Sequence, residues 1–308
     1  MTTALITHPD CTGHVNPDGH PEQVARLAAV LDALEGLDLL RVTAPLAADD
    51  DVLRVHPQSH LDALRAAVPD QGQAPLDADT WVSPGSMAAA HRSAGGVLRA
   101  VDMVLGGEAG NAFAAGRPPG HHAEREKPMG FCLFGNVAMA AKYALDHHGL
   151  ERVAIVDFDV HHGNGTQDLC EDDPRILFVS SHQMPLYPGT GDPSETGVDN
   201  NVLNIALADG SDGAVMRDIY TREVFPAIRA HRPDLILVSA GFDAHADDPL
   251  AGLRWHERDF TWLTGQLCDL AEDLCGGKLV SALEGGYDLA ALGRCARAHV
   301  EVLIGRGK

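Results

Sequence analysis

Lysine is scarce in this 308-residue chain. Only Lys127, Lys142, Lys278 and Lys308 occur, and 44 acidic residues against 23 basic ones give a formal charge of −21. With no basic patch to neutralise phosphates, nucleic-acid binding by counterion release is not expected. The same acidity would concentrate cationic ligands, and it equally serves to keep a protein soluble. No run of about 18 apolar residues occurs, so no membrane span is expected. The start, Met1 to Pro9, lacks a basic segment and a long apolar stretch, and does not read as a secretory signal. The cysteines (Cys11, Cys132, Cys170, Cys268, Cys275, Cys295) form no Cys-x-x-Cys pair and stand apart from paired histidines. That points to reduced thiols and a cytoplasmic setting. Repeats, low-complexity tracts and Pro/Ser linkers are also missing, so residues 1–308 read as one domain, with 45% apolar residues to build its core. Homo-oligomerisation is left open.

What is present is an alternation of β-rich runs with helical patterns. Strands are expected at Ala4–Ile6, Arg41–Ala44, Ala112–Ala115, Val153–Phe158, Ile176–Ser180, Leu203–Leu207, Leu235–Ser239 and Leu279–Leu283. The later runs are almost continuously apolar, as parallel strands covered on both faces require. Helical spacing links Val24, Leu27, Ala28 and Leu31 after Pro21, and Phe260, Leu263, Leu267, Leu270 and Leu274 farther on. Ser83-Pro84-Gly85 opens another helix toward Leu105, with Gly95-Gly96 expected to interrupt it. The alternation predicts an α/β domain: an open, mostly parallel, eight-stranded sheet with helices on both faces.

Polar strings fall at the ends of five of these runs: Gly120-His121-His122, Asp157–His162, Ser180-Ser181-His182, Gly241–Asp243 and Gly285–Tyr287. In a parallel sheet the carboxyl ends share one edge, and ligands bind there. Asp159 and His161 lie two apart on an extended segment and so share a face. Asp243 is the best third ligand. Three protein ligands leave one position open to water, as catalytic zinc requires. Taken singly, the pieces are weak. Asp-x-His is often a solvated turn, and an aspartate such as Asp243 is as often a helix cap. His121 and His122, presented by Pro118-Pro119-Gly120, invite acid–base roles; the plainer reading is one core histidine and one exposed one. Tyr287 on Gly285-Gly286 could offer its phenol to a carbonyl oxygen, or be an ordinary turn tyrosine.

Arg117–Ala123 (Arg-Pro-Pro-Gly-His-His-Ala), Gly130-Phe131-Cys132, Val156–Gln167, Ser239–Asp243 and Glu284–Tyr287 resemble the zinc-dependent histone deacetylases. They resemble the class II branch and its bacterial relatives, which include acetylpolyamine amidohydrolases. His20-Pro21-Glu22 and Pro188–Gly191 also fit, so the resemblance covers nearly the whole chain. It implies an arginase/deacetylase-like fold and zinc-dependent removal of acetyl or other acyl groups from lysine side chains or related amines. The substrate would be a small molecule or a peptide. By the same resemblance, Asp159, His161 and Asp243 would bind zinc. His122 would be general base and then acid, with Asn164 behind it where class I enzymes carry aspartate. His121, paired with Asp157, would act electrostatically, and Tyr287 would polarise the acyl carbonyl. Gly130, Phe131, Tyr187, Leu250 and Gly286 would contact substrate. A structural potassium ion would use Asp157 and Ser180 with the main chain of Asp159, His161 and Ser181. Arg26 would match an internal-channel arginine.

Some positions depart from the pattern. Gly135 stands where asparagine is usual, and Asp247 and Ala251 replace glycines. Polyamine-selective relatives can carry a glutamate near the position of Leu250, so leucine there favours acyl-lysine or a less cationic amide, while the acidic surface favours polyamines. Two other classes compete. A dimanganese ureohydrolase needs bridging carboxylates, but Gly163 and His245 occupy the relevant positions. A non-catalytic acyl-lysine binder would not need His122, Tyr287 and the zinc ligands together.

Overall fold

The computed structural model describes residues 2–307. Its strands are β1 (Thr3–Thr7), β2 (Leu40–Thr43), β3 (Ala74–Pro75), β4 (Trp81–Val82), β5 (Asn111–Ala114), β6 (Val153–Asp157), β7 (Ile176–Gln183), β8 (Val202–Leu207), β9 (Leu235–Ala240) and β10 (Leu279–Leu283). Eight of them form one sheet in the order β2-β1-β5-β10-β9-β6-β7-β8. Every neighbouring pair in it is parallel. The remaining two, β3 and β4, make a small antiparallel hairpin that is too short to leave a periodic signal.

Each central strand serves two cores, because successive side chains point to opposite faces. In β6, Ala154 and Val156 join one apolar cluster, while Val153 and Ile155 join the other. The first cluster is closed by the helices Ala25–Ala33, Glu257–Cys275 and Leu289–Arg306, through residues such as Val30, Leu267 and Leu303. The second is closed by the helices Ser86–Leu105 and Asn136–His148, through Val101 and Ala141. Two covered faces explain why these strands read as unbroken apolar runs.

Three local expectations are corrected. Gly95-Gly96 do not interrupt their helix, which runs from Ser86 to Leu105. They let it press against the chain after β2: a Cβ at Gly95 would strike the Pro45 carbonyl, and one at Gly96 would touch Ala44 and Ile6. The first long helix buries Leu27 and Val30 beside Arg26, while Ala28 faces solvent. The strand expected to stop at Ser180 runs on to Gln183, so Ser180-Ser181-His182 form the carboxyl end of β7 itself, held there because β8 pairs with it through Gln183↔Leu207. Gly135 also gains a reason: it caps the helix Asn136–His148, and a Cβ there would overlap Leu169.

Candidate metal centre and active site

The strands β5, β10, β9, β6 and β7 are consecutive neighbours, so the polar strings that follow or end them meet on one edge. Past the end of β6 the alternation persists. Phe158 and Val160 stay in the apolar core, and Asp159 and His161 turn the other way. Ligand atoms of Asp159, His161 and Asp243 all lie within 4.8 Å of one another. His161 Nδ1 is 3.1 Å from Asp159 Oδ1 and 3.2 Å from Asp243 Oδ2. Donors at the edge of a tetrahedron with zinc-type bonds stand about 3.3–3.5 Å apart, so this set fits a single ion.

The surrounding backbone holds the carboxylates. The Val160 N–H donates to Asp243 Oδ1 at 2.9 Å, and the Gly285 N–H donates to Asp159 Oδ2 at 2.8 Å. A Cβ at Gly241 would overlap the Asp159 carboxylate, and one at Gly285 would overlap Asp243. The electrostatics ask for positive charge at this point. Burial, reinforced by the Asp159 carboxylate, raises Asp243 to about 7. Burial opposes a charged His161, yet its hydrogen bonds to Asp159 and Asp243 lift it to about 10. A proton on His161 therefore sits between two carboxylates, where a divalent cation would replace it.

Both histidines of the pair are buried, with ring centres 3.9 Å apart. His121 Nδ1 meets Asp157 Oδ2 at 3.0 Å, and His122 Nδ1 meets Asn164 Oδ1 at 2.7 Å. Their environments push them in opposite directions. Burial disfavours charge on His121, but Asp159 and Asp157 outweigh it and hold the ring well above its ordinary range. Burial, together with His121 and His161, holds His122 well below that range. The two environments thus separate the rings, favouring charge on His121 and neutrality on His122, the separation that acid–base sites exploit.

Above these groups lies a cavity of about 240 Å³ lined by Gly130, Phe131, Tyr187, Leu250 and Tyr287, with His122 and His161 also on its surface. Gly130 takes φ +55°, and a Cβ there would drive into the His122 ring. Phe131 stands 5.8 Å, centre to centre, from Tyr287, and Tyr187 stands 5.3 Å from His122. Gly286 is not among the lining residues; its carbonyl accepts from Arg26 Nε at 2.7 Å. Pro21, Asp79 and Leu186 complete the wall. Nothing in the sequence distinguishes Asp79 from its neighbour Asp77. Asp248 is a second unheralded residue: its carboxylate accepts from the N–H groups of Tyr287 (2.7 Å) and Leu250 (3.0 Å), tying both walls together.

The remaining candidates also cluster here. Ser180 Oγ bonds His182 Nδ1 at 3.0 Å, and Ser181 Oγ bonds the Tyr220 hydroxyl at 2.7 Å. Among the described residues no hydrogen bond reaches the carbonyls of Asp159 and His161. A side chain at 163 would run into Asp157 Oδ2, so no bridging carboxylate fits there. His245 groups instead with His256 and Glu257.

Comparison with known proteins places this geometry. Residues 20–303 match the histone deacetylase domain family. The chain is 43% identical over 303 residues to histone deacetylase 10, chloroplastic, of Oryza sativa, covering 91% of this chain and 68% of that one. It is 42% identical over 306 residues to the histone deacetylase-like amidohydrolase of Pseudomonas aeruginosa, covering 97% and 79%. A solved structure described as the HDA15 HD domain superposes with a TM-score of 0.93 at 32% identity, covering 99% of this chain and 89% of that one.

Proposed function

This chain belongs to the histone deacetylase family, and from that premise we propose that it is a zinc-dependent amidohydrolase removing acetyl or other acyl groups from lysine side chains or related amines. Asp159, His161 and Asp243 would hold the ion. Bound there, zinc supplies Lewis acidity to water and to the scissile carbonyl.

The chain's own residues carry the rest. His122, neutral through burial, takes a proton from the attacking water at Nε2 and returns it to the leaving nitrogen. His121, paired with Asp157, offsets negative charge as it develops. The Tyr287 hydroxyl donates to the carbonyl oxygen, and its raised pKa, due chiefly to burial, keeps it a donor. Phe131, Leu186, Tyr187 and Leu250 enclose an aliphatic stem and exclude water. Asp157 and Ser180, with the free carbonyls of Asp159 and His161, would form the potassium site. All six cysteines are unpaired and buried, which supports a cytoplasmic setting, and no helix among the described residues is long and apolar enough to cross a membrane.

One observation carries the reading: a metal-type trio lies beside a neutral, buried histidine under a narrow apolar cavity. A second substrate reading, acetylpolyamines, draws on the −21 charge and on Asp79 in the wall. The test is metal analysis together with turnover of acetyl-lysine peptides, acetylpolyamines and small acetylated amines. One zinc per chain with amide cleavage is expected. Zinc without cleavage of any member would sink the enzymatic reading.

A further inference from the structure

His122 does not end at Asn164. The amide continues to Glu124, whose Oε1 lies 2.7 Å from Asn164 Nδ2, and Nδ2 also approaches Met129 Sδ at 3.4 Å. Glu124 and Asn164 line a separate polar pocket of about 170 Å³ that His122 does not line. Glu124 is itself held in a turn: its N–H donates to the Lys127 carbonyl at 3.0 Å, and the neighbouring Arg125 N–H donates to Asp168 Oδ2 at 2.7 Å.

The chemistry of these partners fixes a choice that shape alone leaves open. The two ends of an asparagine amide are nearly the same size, and a flip exchanges donor for acceptor. An ionised carboxylate and a thioether can only accept. Nδ2 therefore belongs on their side. A flipped amide would lose both contacts and press Oδ1 against the Glu124 carboxylate. With Nδ2 committed, Oδ1 must face His122, 2.7 Å from Nδ1. Nδ1 then has to carry the hydrogen, and Nε2 is left as the lone pair. An aspartate at 164 would impose the same tautomer unaided, whereas asparagine does so only while something else dictates its orientation.

We propose that Glu124 is a positioning residue: through Asn164 it sets which ring nitrogen of His122 carries the proton, a role resting on the reading of His122 as the base. The orientation that asparagine cannot fix for itself is thus supplied from one hydrogen bond farther out.

The test uses zinc-loaded protein. Glu124→Ala lowers kcat tenfold or more, the scale seen when a histidine's orienting partner is removed, with KM within about twofold and zinc content and thermal midpoint unchanged. Glu124→Gln, which retains an acceptor oxygen, falls between the two. In an Asn164→Asp background, Glu124→Ala has no such penalty, because aspartate cannot flip. Equal losses in both backgrounds, or a change in KM alone, overturn the proposal. A second readout is independent of turnover: ¹⁵N spectra of histidine-labelled protein, with the His122 signals identified by their loss in His122→Asn. The parent shows hydrogen on Nδ1, and Glu124→Ala shows a tautomer mixture. An unaltered tautomer refutes the role of Glu124 even in an active enzyme. A parent with the stated tautomer but no amidase activity refutes the function and leaves this inference standing.

Discussion

Arg26 lies under Tyr287, with its guanidinium carbon 5.0 Å from the ring centre, and its Nε donates to the Gly286 carbonyl at 2.7 Å. Its Nη2 donates to the Glu284 carbonyl, so one guanidinium brackets Gly285 from both sides. Charge on Arg26 is balanced by Glu22, which burial would push up but which Arg117 and Arg26 together hold at about 2. Arg26→Met should leave two buried carbonyls unpaired, destabilising the fold by roughly 2–5 kcal/mol. Because the Tyr287 loop loses its support, kcat should fall more than KM rises. Urea unfolding and steady-state kinetics measure both, and an unchanged kcat in the folded variant would separate Arg26 from the site.

Tyr287→Phe removes the donor from the cavity wall while keeping the ring against Phe131. A roughly 100-fold drop in kcat with retained zinc is expected, the scale of a lost oxyanion donor. Wild-type kinetics would exclude the phenol from the reaction.

The two carboxylates should not be interchangeable with the base. Asp159→Ala or Asp243→Ala removes a ligand from the trio, so zinc and activity are lost together. His122→Ala leaves the trio intact, so zinc stays near one per chain while turnover disappears. Chelator treatment of the parent should abolish activity, and added zinc should restore it. Elemental analysis beside each assay decides among these outcomes.

His299 links stability to acidity in the core behind the site, its ring centre 5.8 Å from that of Phe242. It is fully buried between Thr264 Oγ1 and Ser281 Oγ, each 2.7 Å away, and burial lowers it to about 3. The folded ring is neutral, while the unfolded one takes up a proton below about 6.5. Its contribution is therefore fully present above 6.5 and lost as pH falls toward 3, at roughly 1.4 kcal/mol per pH unit. Urea unfolding between pH 7 and 5 should show His299→Asn losing less stability than the parent. Parallel losses would contradict this.

Much of this was legible beforehand, for physical reasons. Runs such as Val153–Phe158 and Leu235–Ser239 announce strands because both faces are buried. Asp159 and His161 share a face because extended chain alternates. What stayed hidden depends on contacts across the fold. Gly95 is a helix breaker by propensity, and only its approach to Pro45 explains it. Asp248 looks like any loop aspartate until its carboxylate reaches Tyr287 N–H, 39 residues away. The hairpin β3–β4 flanks the turn that carries Asp79, yet two-residue strands have no period to read.

The glycines at 130, 241 and 285 have one more consequence. A single added methyl at any of them would collide with His122, Asp159 or Asp243. At those three positions even the smallest substitution is too large a step. The outer ring of Asp79, Leu186, Tyr187 and Leu250 is freer, because it comes from three loops, one carrying Asp79, one Leu186 and Tyr187, and one Leu250. Such a molecule keeps one reaction fixed and leaves its clientele free to evolve.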